Sequence, residues 1–318
     1  MKCKIYCFLA LLIFSLSGCS IFHQGPDDSQ KLTESSHSKE NCAILAGDSW
    51  SMLDAFYHSS EQALGCKVGH DIKAAYLPQG IGFPSVIPGS RSDQWATPLG
   101  AIALKHLIDQ NPNAKVLILY MGGNDYAKYY NAKHSGLEGF SCHPDPNYRG
   151  NGAVNRQIAG NITRIINIVR LYAKAKNRDL KIVLMGYSKV NVIHGEAIRP
   201  APENEDRDLF KTNRHLFENV GCPTQREFNL AYKGLNDKLK AWAAQPLQAN
   251  VAYIDNFNLF EDDINKATPP VEMLNVRVSA LGYVFKWIYI DAIHLSGPAQ
   301  RDVADRMAAE VQRRNWLN

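Results

Sequence analysis

The chain has 318 residues, 45% of them hydrophobic and 21% charged, which is enough apolar material to bury the core of one large domain or two small ones. The formal charge of +4 comes from basic residues spread along the sequence without a polybasic run, so nothing argues for nucleic acid as a partner. At the N-terminus Lys2 and Lys4 precede an apolar segment over 5–16, which has the length of a secretory signal and is too short to span a bilayer comfortably.

Leu16-Ser17-Gly18-Cys19 closes that segment and resembles the lipobox of bacterial lipoproteins. The resemblance implies a signal peptide over 1–18, cleavage before Cys19 and acylation of Cys19 as the new N-terminus. Two or three acyl chains give stable anchoring where one would not, so the implied partner here is a membrane, held through lipid. Ser20 in place of Asp after the cysteine resembles the pattern sent to an outer membrane, which implies the cell envelope, facing the periplasm, or export. The plainer reading of the same residues is an ordinary secretory signal with a stray cysteine. Residues 20–40 are polar and rich in Ser, Asp and Lys, with little to build a core from, and 19–40 reads as a flexible tether.

With Cys3 and Cys7 removed and Cys19 lipidated, Cys42, Cys66, Cys142 and Cys222 remain, an even number in an oxidising compartment. Two disulfides are plausible, and pairing Cys42 with Cys66 and Cys142 with Cys222 closes the shortest loops, but the sequence does not choose among the three connectivities. No pair has zinc-ligand spacing.

From residue 42 the chain alternates apolar runs with helical patterns. The runs at 42–46, 72–77, 116–121, 182–185 and 251–254 are short and mostly bounded by Gly, Asn or Asp, and they read as strands. Helical spacing covers 52–64, 99–110, 155–176, 226–244 and 299–316. Strand and helix in alternation imply a parallel sheet covered by helices on both faces, in one domain over 41–318. Insertions are expected near 126–154, 191–223 and 256–290. The second is polar, with Pro200, Pro202 and a charged run at 203–208, and reads as an insertion or lid; the third ends in an apolar run at 283–290 suited to a hairpin or to bounding an acyl pocket. No repeat of 20–50 residues is apparent.

In such sheets ligands gather beyond the carboxyl ends of the strands, so the residues after each apolar run matter most. Gly47-Asp48-Ser49 follows the first run, Gly122-Gly123-Asn124-Asp125 follows the third, and Asp291-Ala292-Ile293-His294 stands before the last helix. Each has a purely structural reading. Asp48 or Ser49 could cap the helix that starts near Trp50, the Gly-Gly-Asn-Asp stretch could be a turn, and Asp291 could cap while His294 packs.

Taken together and in this order, the three stretches resemble the blocks of the SGNH, or GDSL, hydrolase family, over roughly 42–315. The second block is looser: Ile87-Pro88-Gly89-Ser90-Arg91-Ser92 keeps the Gly-Ser-Arg part and has Pro88 where Ser is frequent, which makes Gly89 its best match. The resemblance implies a three-layer α/β/α, flavodoxin-like fold and a serine esterase working through an acyl-enzyme. Ser49 would be the nucleophile, His294 its base, and Asp291 the group that orients His294. A Ser hydroxyl attacks poorly until a base takes its proton, and His titrates nearest neutral pH. Asp291, three residues before His294, can reach the imidazole N–H and stabilise the imidazolium as it forms. The family's oxyanion donors fall on the backbone N–H of Ser49, the backbone N–H of Gly89 and the side-chain amide of Asn124. Gly suits position 89 in that reading because a side chain would hinder the approach of substrate.

Gly186-Tyr187-Ser188 resembles half of the Gly-x-Ser-x-Gly elbow of α/β-hydrolases, but Val190 stands where the second Gly is required, so Ser188 reads as a strand-end hydroxyl. His134, His143, His194 and His215 lack metal-ligand spacing and read as surface or cleft residues. Tyr126, Tyr129 and Tyr130 could line a substrate wall or pack a loop on the core. The family chemistry requires no metal and no organic cofactor. Its substrates include lipids, short-chain acyl esters and acylated glycans, so a lipase or acylesterase is expected, with a carbohydrate O-acetyl esterase or acyltransferase as the alternative. A non-catalytic envelope lipoprotein binding a glycan or partner in the same cleft is the reading from another class. Binding alone, however, gives no reason to hold Ser49, Asn124, Asp291 and His294 together.

Overall fold

The computed structural model describes residues 40–71, 84–87, 89–125, 149–188, 225–259, 295 and 297–318, all within one unit, Lys39–Asn318. The expected signal peptide, Cys19 and nearly all of the tether lie outside these residues, as do Cys142, Cys222, Asp291, His294, the four histidines and the three tyrosines named above.

Short runs of Val, Ile and Leu that are buried on both sides build the strands of a parallel sheet. They are β1 (Asn41–Gly47), β2 (Lys67–Gly69), β3 (Val116–Tyr120), β4 (Lys181–Met185) and β5 (Val251–Ile254). Every pairing is parallel and the order is β2-β1-β3-β4-β5. This is the flavodoxin-like order, in which the chain reverses direction across the sheet between β1 and β3. Ala43 pairs with Val116 and the register runs unbroken to Gly47 opposite Tyr120, so the loops leaving both strands emerge side by side.

The described helices are α1 (Ser49–Tyr57), α2 (Ser59–Leu64), α3 (Ser92–Trp95), α4 (Pro98–Gln110), α5 (Arg149–Ala175), α6 (Gln225–Ala243) and α7 (Gly297–Arg313). They fall into two packed groups: α1, α2 and α7 touch one another, and α3, α4, α5 and α6 form the other set. The sheet lies between them, giving the expected three layers. Its central strands contribute Ile44, Leu45, Leu117, Ile118, Leu119, Ile182, Val183 and Leu184 to a core in which none of these side chains exceeds 1% exposure.

Four strands and most helices begin and end within a few residues of their expected bounds, and the exceptions have local causes. The expected strand at 72–77 lies outside the described residues, and the edge strand observed is the short Lys67-Val68-Gly69, whose central side chain alone is buried. The helix expected over 52–64 is two helices, broken where His58 takes left-handed backbone at φ 53°. Helix α5 begins at Arg149, so 149–154 belong to a helix and not to the insertion expected over 126–154. Cys42 and Cys66 form a disulfide with Cα atoms 6.0 Å apart, fastening the start of β1 to the residue before β2. Of the three connectivities left open by the sequence, only the one that also pairs Cys142 with Cys222 contains this bridge, and those two cysteines lie outside the described residues.

Candidate active site

The carboxyl end of β1 is shaped by Gly47. Its φ of +141° is open only to glycine, and a Cβ there would lie 1.8 Å from the carbonyl oxygen of Tyr120. This close approach lets the Asp48 N–H donate to that same oxygen at 3.1 Å, while the Gly47 carbonyl accepts from Ile87 N–H at 2.9 Å. Asp48 then turns the chain into α1, its Oδ1 accepting from the Trp50 N–H at 3.0 Å. Asp48 is therefore the helix cap. Ser49, 8% exposed, opens the first turn of α1, where the helix dipole favours negative charge.

The second loop is fixed against the first. Ser90 N–H donates to the Ile87 carbonyl at 3.1 Å, closing a turn through Gly89, and Ser90 Oγ takes a 3.0 Å hydrogen bond from the Trp95 indole. Gly89 has φ +72°, and a Cβ on it would meet nothing within 4 Å. The requirement for glycine here is thus conformational in the first place, since the space beyond its Cα is open.

Asn124 and Asp125, after β3, tie this loop down from the other side. Asn124 Nδ2 donates to the Ser90 carbonyl at 3.1 Å and, more weakly, to Asp48 Oδ2 at 3.4 Å. The Asp125 carboxyl accepts from the Ser92 N–H at 2.8 Å and from the Ser92 hydroxyl at 2.5 Å, and Asn161 of α5 donates to the same hydroxyl at 3.1 Å. Burial pushes the Asp125 carboxyl up to about 6, against the lowering effect of the two hydrogen bonds from Ser92. The structure thus brings three of the sequence's candidate residues, Ser49, Gly89 and Asn124, to one edge of the sheet, at the switch point between β1 and β3.

Asp291 and His294 precede α7, whose position is described. Gln300 Nε2 donates to the Trp50 carbonyl in the first turn of α1 at 3.4 Å, and Gly297 sits so near the Tyr57 ring that a Cβ would lie 3.3 Å from it. Leu295 is fully buried.

One residue of this site was not legible in the sequence. Tyr187, two positions after β4, donates its hydroxyl to Asp48 Oδ2 in a short hydrogen bond, and its ring lies against Gly123, where a Cβ would come to 3.1 Å from it. Its ring meets Trp50 edge-on, with centroids 4.9 Å apart. Burial, followed by the nearby Asp48 charge, raises the phenol well above its usual range, so Tyr187 stays a proton donor. No motif marks a tyrosine that acts across 139 residues of sequence. The neighbouring Ser188 is buried just after β4.

No family model matches the chain, and no curated protein matches it in sequence. Solved structures do align with it. A carbohydrate acetylesterase from Sinorhizobium meliloti is 12% identical, with 86% of this chain and 99% of that one covered and a TM-score of 0.45. A lipase from a goat rumen metagenome is 13% identical, with 87% and 99% covered and a TM-score of 0.43. A member of the lipolytic G-D-S-L family from Veillonella parvula is 13% identical, with 85% and 98% covered and a TM-score of 0.36. At such identities and scores the likeness carries no activity over, and the functional reading rests on the chain's own residues.

Proposed function

We propose that this chain is a serine ester hydrolase of the SGNH kind, a lipase or acylesterase acting on lipid or other small acyl esters. The observation that carries this reading is the frame at the carboxyl ends of β1 and β3. A serine opens a helix there, and the Gly89 turn and the Asn124 amide are hydrogen-bonded into one rigid unit beside it. Ester hydrolysis needs donors placed in advance where charge develops, and such preorganised donors stabilise the transition state more than any other single feature. In the proposed mechanism Ser49 Oγ attacks the ester carbonyl while His294 takes its proton and Asp291 stabilises the imidazolium. The oxyanion is met by the N–H groups of Ser49 and Gly89 and by the Asn124 amide. His294 then returns the proton to the leaving alcohol, and water, activated by the same histidine, releases the acid from the acyl-enzyme. The packing of α7 on α1 supports a place for His294 near Ser49.

The sequence around Cys19 adds the proposal that the enzyme is lipid-anchored in a bacterial envelope, with the tether giving the domain its reach. Labelling of purified residues 42–318 with a fluorophosphonate probe tests the chemistry. Loss of label in Ser49→Ala alone is the expected result. Label that survives in Ser49→Ala and vanishes in Ser188→Ala overturns the assignment, and absence of label in the folded wild type favours a binding protein. A panel of lipid, short-chain and glycan esters then identifies the acyl group.

A further inference from the structure

Asn124 has one amide nitrogen and two hydrogens to give. In this structure one is directed to the Ser90 carbonyl at 3.1 Å and the other to Asp48 Oδ2 at 3.4 Å, so an oxyanion can gain the amide only at the expense of one of these bonds. The second is the weaker, being longer than an ordinary N–H to oxygen hydrogen bond. Asp48 Oδ2 also accepts a short hydrogen bond from the Tyr187 hydroxyl, while Oδ1 is occupied by the Trp50 N–H. Charge-assisted bonds from a hydroxyl to a carboxylate are short and strong, so the phenol satisfies the oxygen that otherwise draws on Asn124. The Tyr187 ring also lies against Gly123, directly before Asn124, where a Cβ would come to 3.1 Å from it.

We propose that Tyr187 is a positioning residue, whose hydroxyl, by occupying Asp48 Oδ2, keeps the second N–H of Asn124 available to the reacting carbonyl oxygen. The proposal rests on the reading of Ser49 and Asn124 given above. It goes beyond the family motifs quoted above, none of which includes Tyr187. Removal of the hydroxyl takes this short hydrogen bond from Asp48 Oδ2, which then draws harder on the Asn124 amide, and the donor turns away from substrate. The ring has separate work, packing on Trp50 and on Tyr232 with centroids 4.9 and 5.7 Å away, and phenylalanine retains those contacts.

A double-mutant cycle between Tyr187→Phe and Asn124→Ala on a soluble ester, with Ser49→Ala as control, tests the idea. Tyr187→Phe is expected to lower kcat about tenfold, within the two to three decades that a whole oxyanion donor supplies, with KM little changed. In the Asn124→Ala background the same substitution is expected to change kcat less than about twofold, because its route of action is gone. Equal effects in both backgrounds, or an unaltered kcat in Tyr187→Phe, overturn the proposal. If Tyr187→Phe does not fold, Gly123→Ala takes its place in the cycle, since a Cβ there would press to 3.1 Å from the Tyr187 ring and 3.0 Å from the Tyr232 hydroxyl. An effect of Gly123→Ala that persists without the Asn124 amide also overturns it. Hydrolysis that survives in Ser49→Ala is a different failure, that of the esterase reading, and the control separates the two.

Discussion

Asn124 and the two glycines beside it show how differently single positions constrain this site. Asn124→Ala removes a donor aimed at the reacting carbonyl oxygen as well as its bond to the Ser90 carbonyl, so in the folded variant the loss is expected in kcat, by about 3–4 kcal/mol or two to three decades, with KM nearly constant. Steady-state kinetics of the folded variant check this, and a loss carried mainly by KM sinks it. Gly47→Ala has no such latitude, because the new Cβ would have to share space with the Tyr120 carbonyl; soluble folded protein is not expected. Gly89→Ala meets no atom within 4 Å and suffers only from φ +72°, a left-handed conformation that costs an L-residue roughly 1–2 kcal/mol. Yield of soluble protein should separate the two, and thermal unfolding of Gly89→Ala should show only that modest loss. The sequence points to Gly47 and Asn124 through Gly-Asp-Ser and Gly-Gly-Asn-Asp, contiguous motifs at strand ends, and to Gly89 only through the looser second block. It does not show Tyr187 or the pairing of Asp125 with Ser92, because those partners meet only after the sheet has brought β1, β3 and β4 into register.

Among the elements, β3, β4 and β5 were readable to within a residue or so because a strand buried on both faces is a continuous apolar run with polar ends. Lys67-Val68-Gly69 escapes that signal, being an edge strand with one buried side chain and only a few rungs against β1. The break between α1 and α2 escapes as well. His58 adopts left-handed backbone without a Gly or Pro to mark it, while buried Asp54 accepts from both the N–H and the hydroxyl of Ser60 and so holds the new helix to the old one. The covalent tie between the start of β1 and the residue before β2 stands in for the pairing that so short an edge strand lacks. Its two cysteines are 24 residues apart, and closing a loop of that size removes denatured-state entropy equivalent to about 3 kcal/mol. The double variant Cys42→Ser, Cys66→Ser is therefore expected to lose about that much in urea unfolding while keeping its kcat, because the bond lies at the amino ends of the strands and Ser49 at the opposite end. A fall in kcat without a fall in stability would show that the bond serves the site and not the sheet edge.

Across the whole molecule, the loops that hold the proposed oxyanion donors are fastened to the helical layer through Asp125, which joins the segment after β3 to α3 and, through Ser92, to α5. That fastening has a pH signature. The carboxyl sits near 6 in the folded chain because burial outweighs the hydrogen bonds it receives, with Asp93 raising and Arg91 lowering it to smaller extents. Unfolding returns it to the ordinary value of 3.8. Between these limits the folded state holds a proton that the unfolded state has released, so stability falls as pH rises through about 4 to 6 and is flat on either side. The full span corresponds to about 3 kcal/mol for one such group. Asp54, also raised by burial, adds to the same trend. Glu310 works in the other direction, held at about 2 by Arg313 and Arg314, but its contribution is lost only as pH falls below the ordinary carboxylate range, and its exposed partners make it small. Urea titrations of wild type and Asp125→Asn at about pH 4, 5 and 6.5 separate these effects, because whatever the substituted amide loses in hydrogen bonding to Ser92 is the same at each pH and only the Asp125 proton changes across the window. The difference between the two proteins should shift in the variant's favour by up to about 3 kcal/mol from the lowest pH to the highest. A constant difference would mean that the carboxyl between these loops ionises in the folded protein as it does in water, and that the frame around Asn124 is more open to solvent than its burial implies.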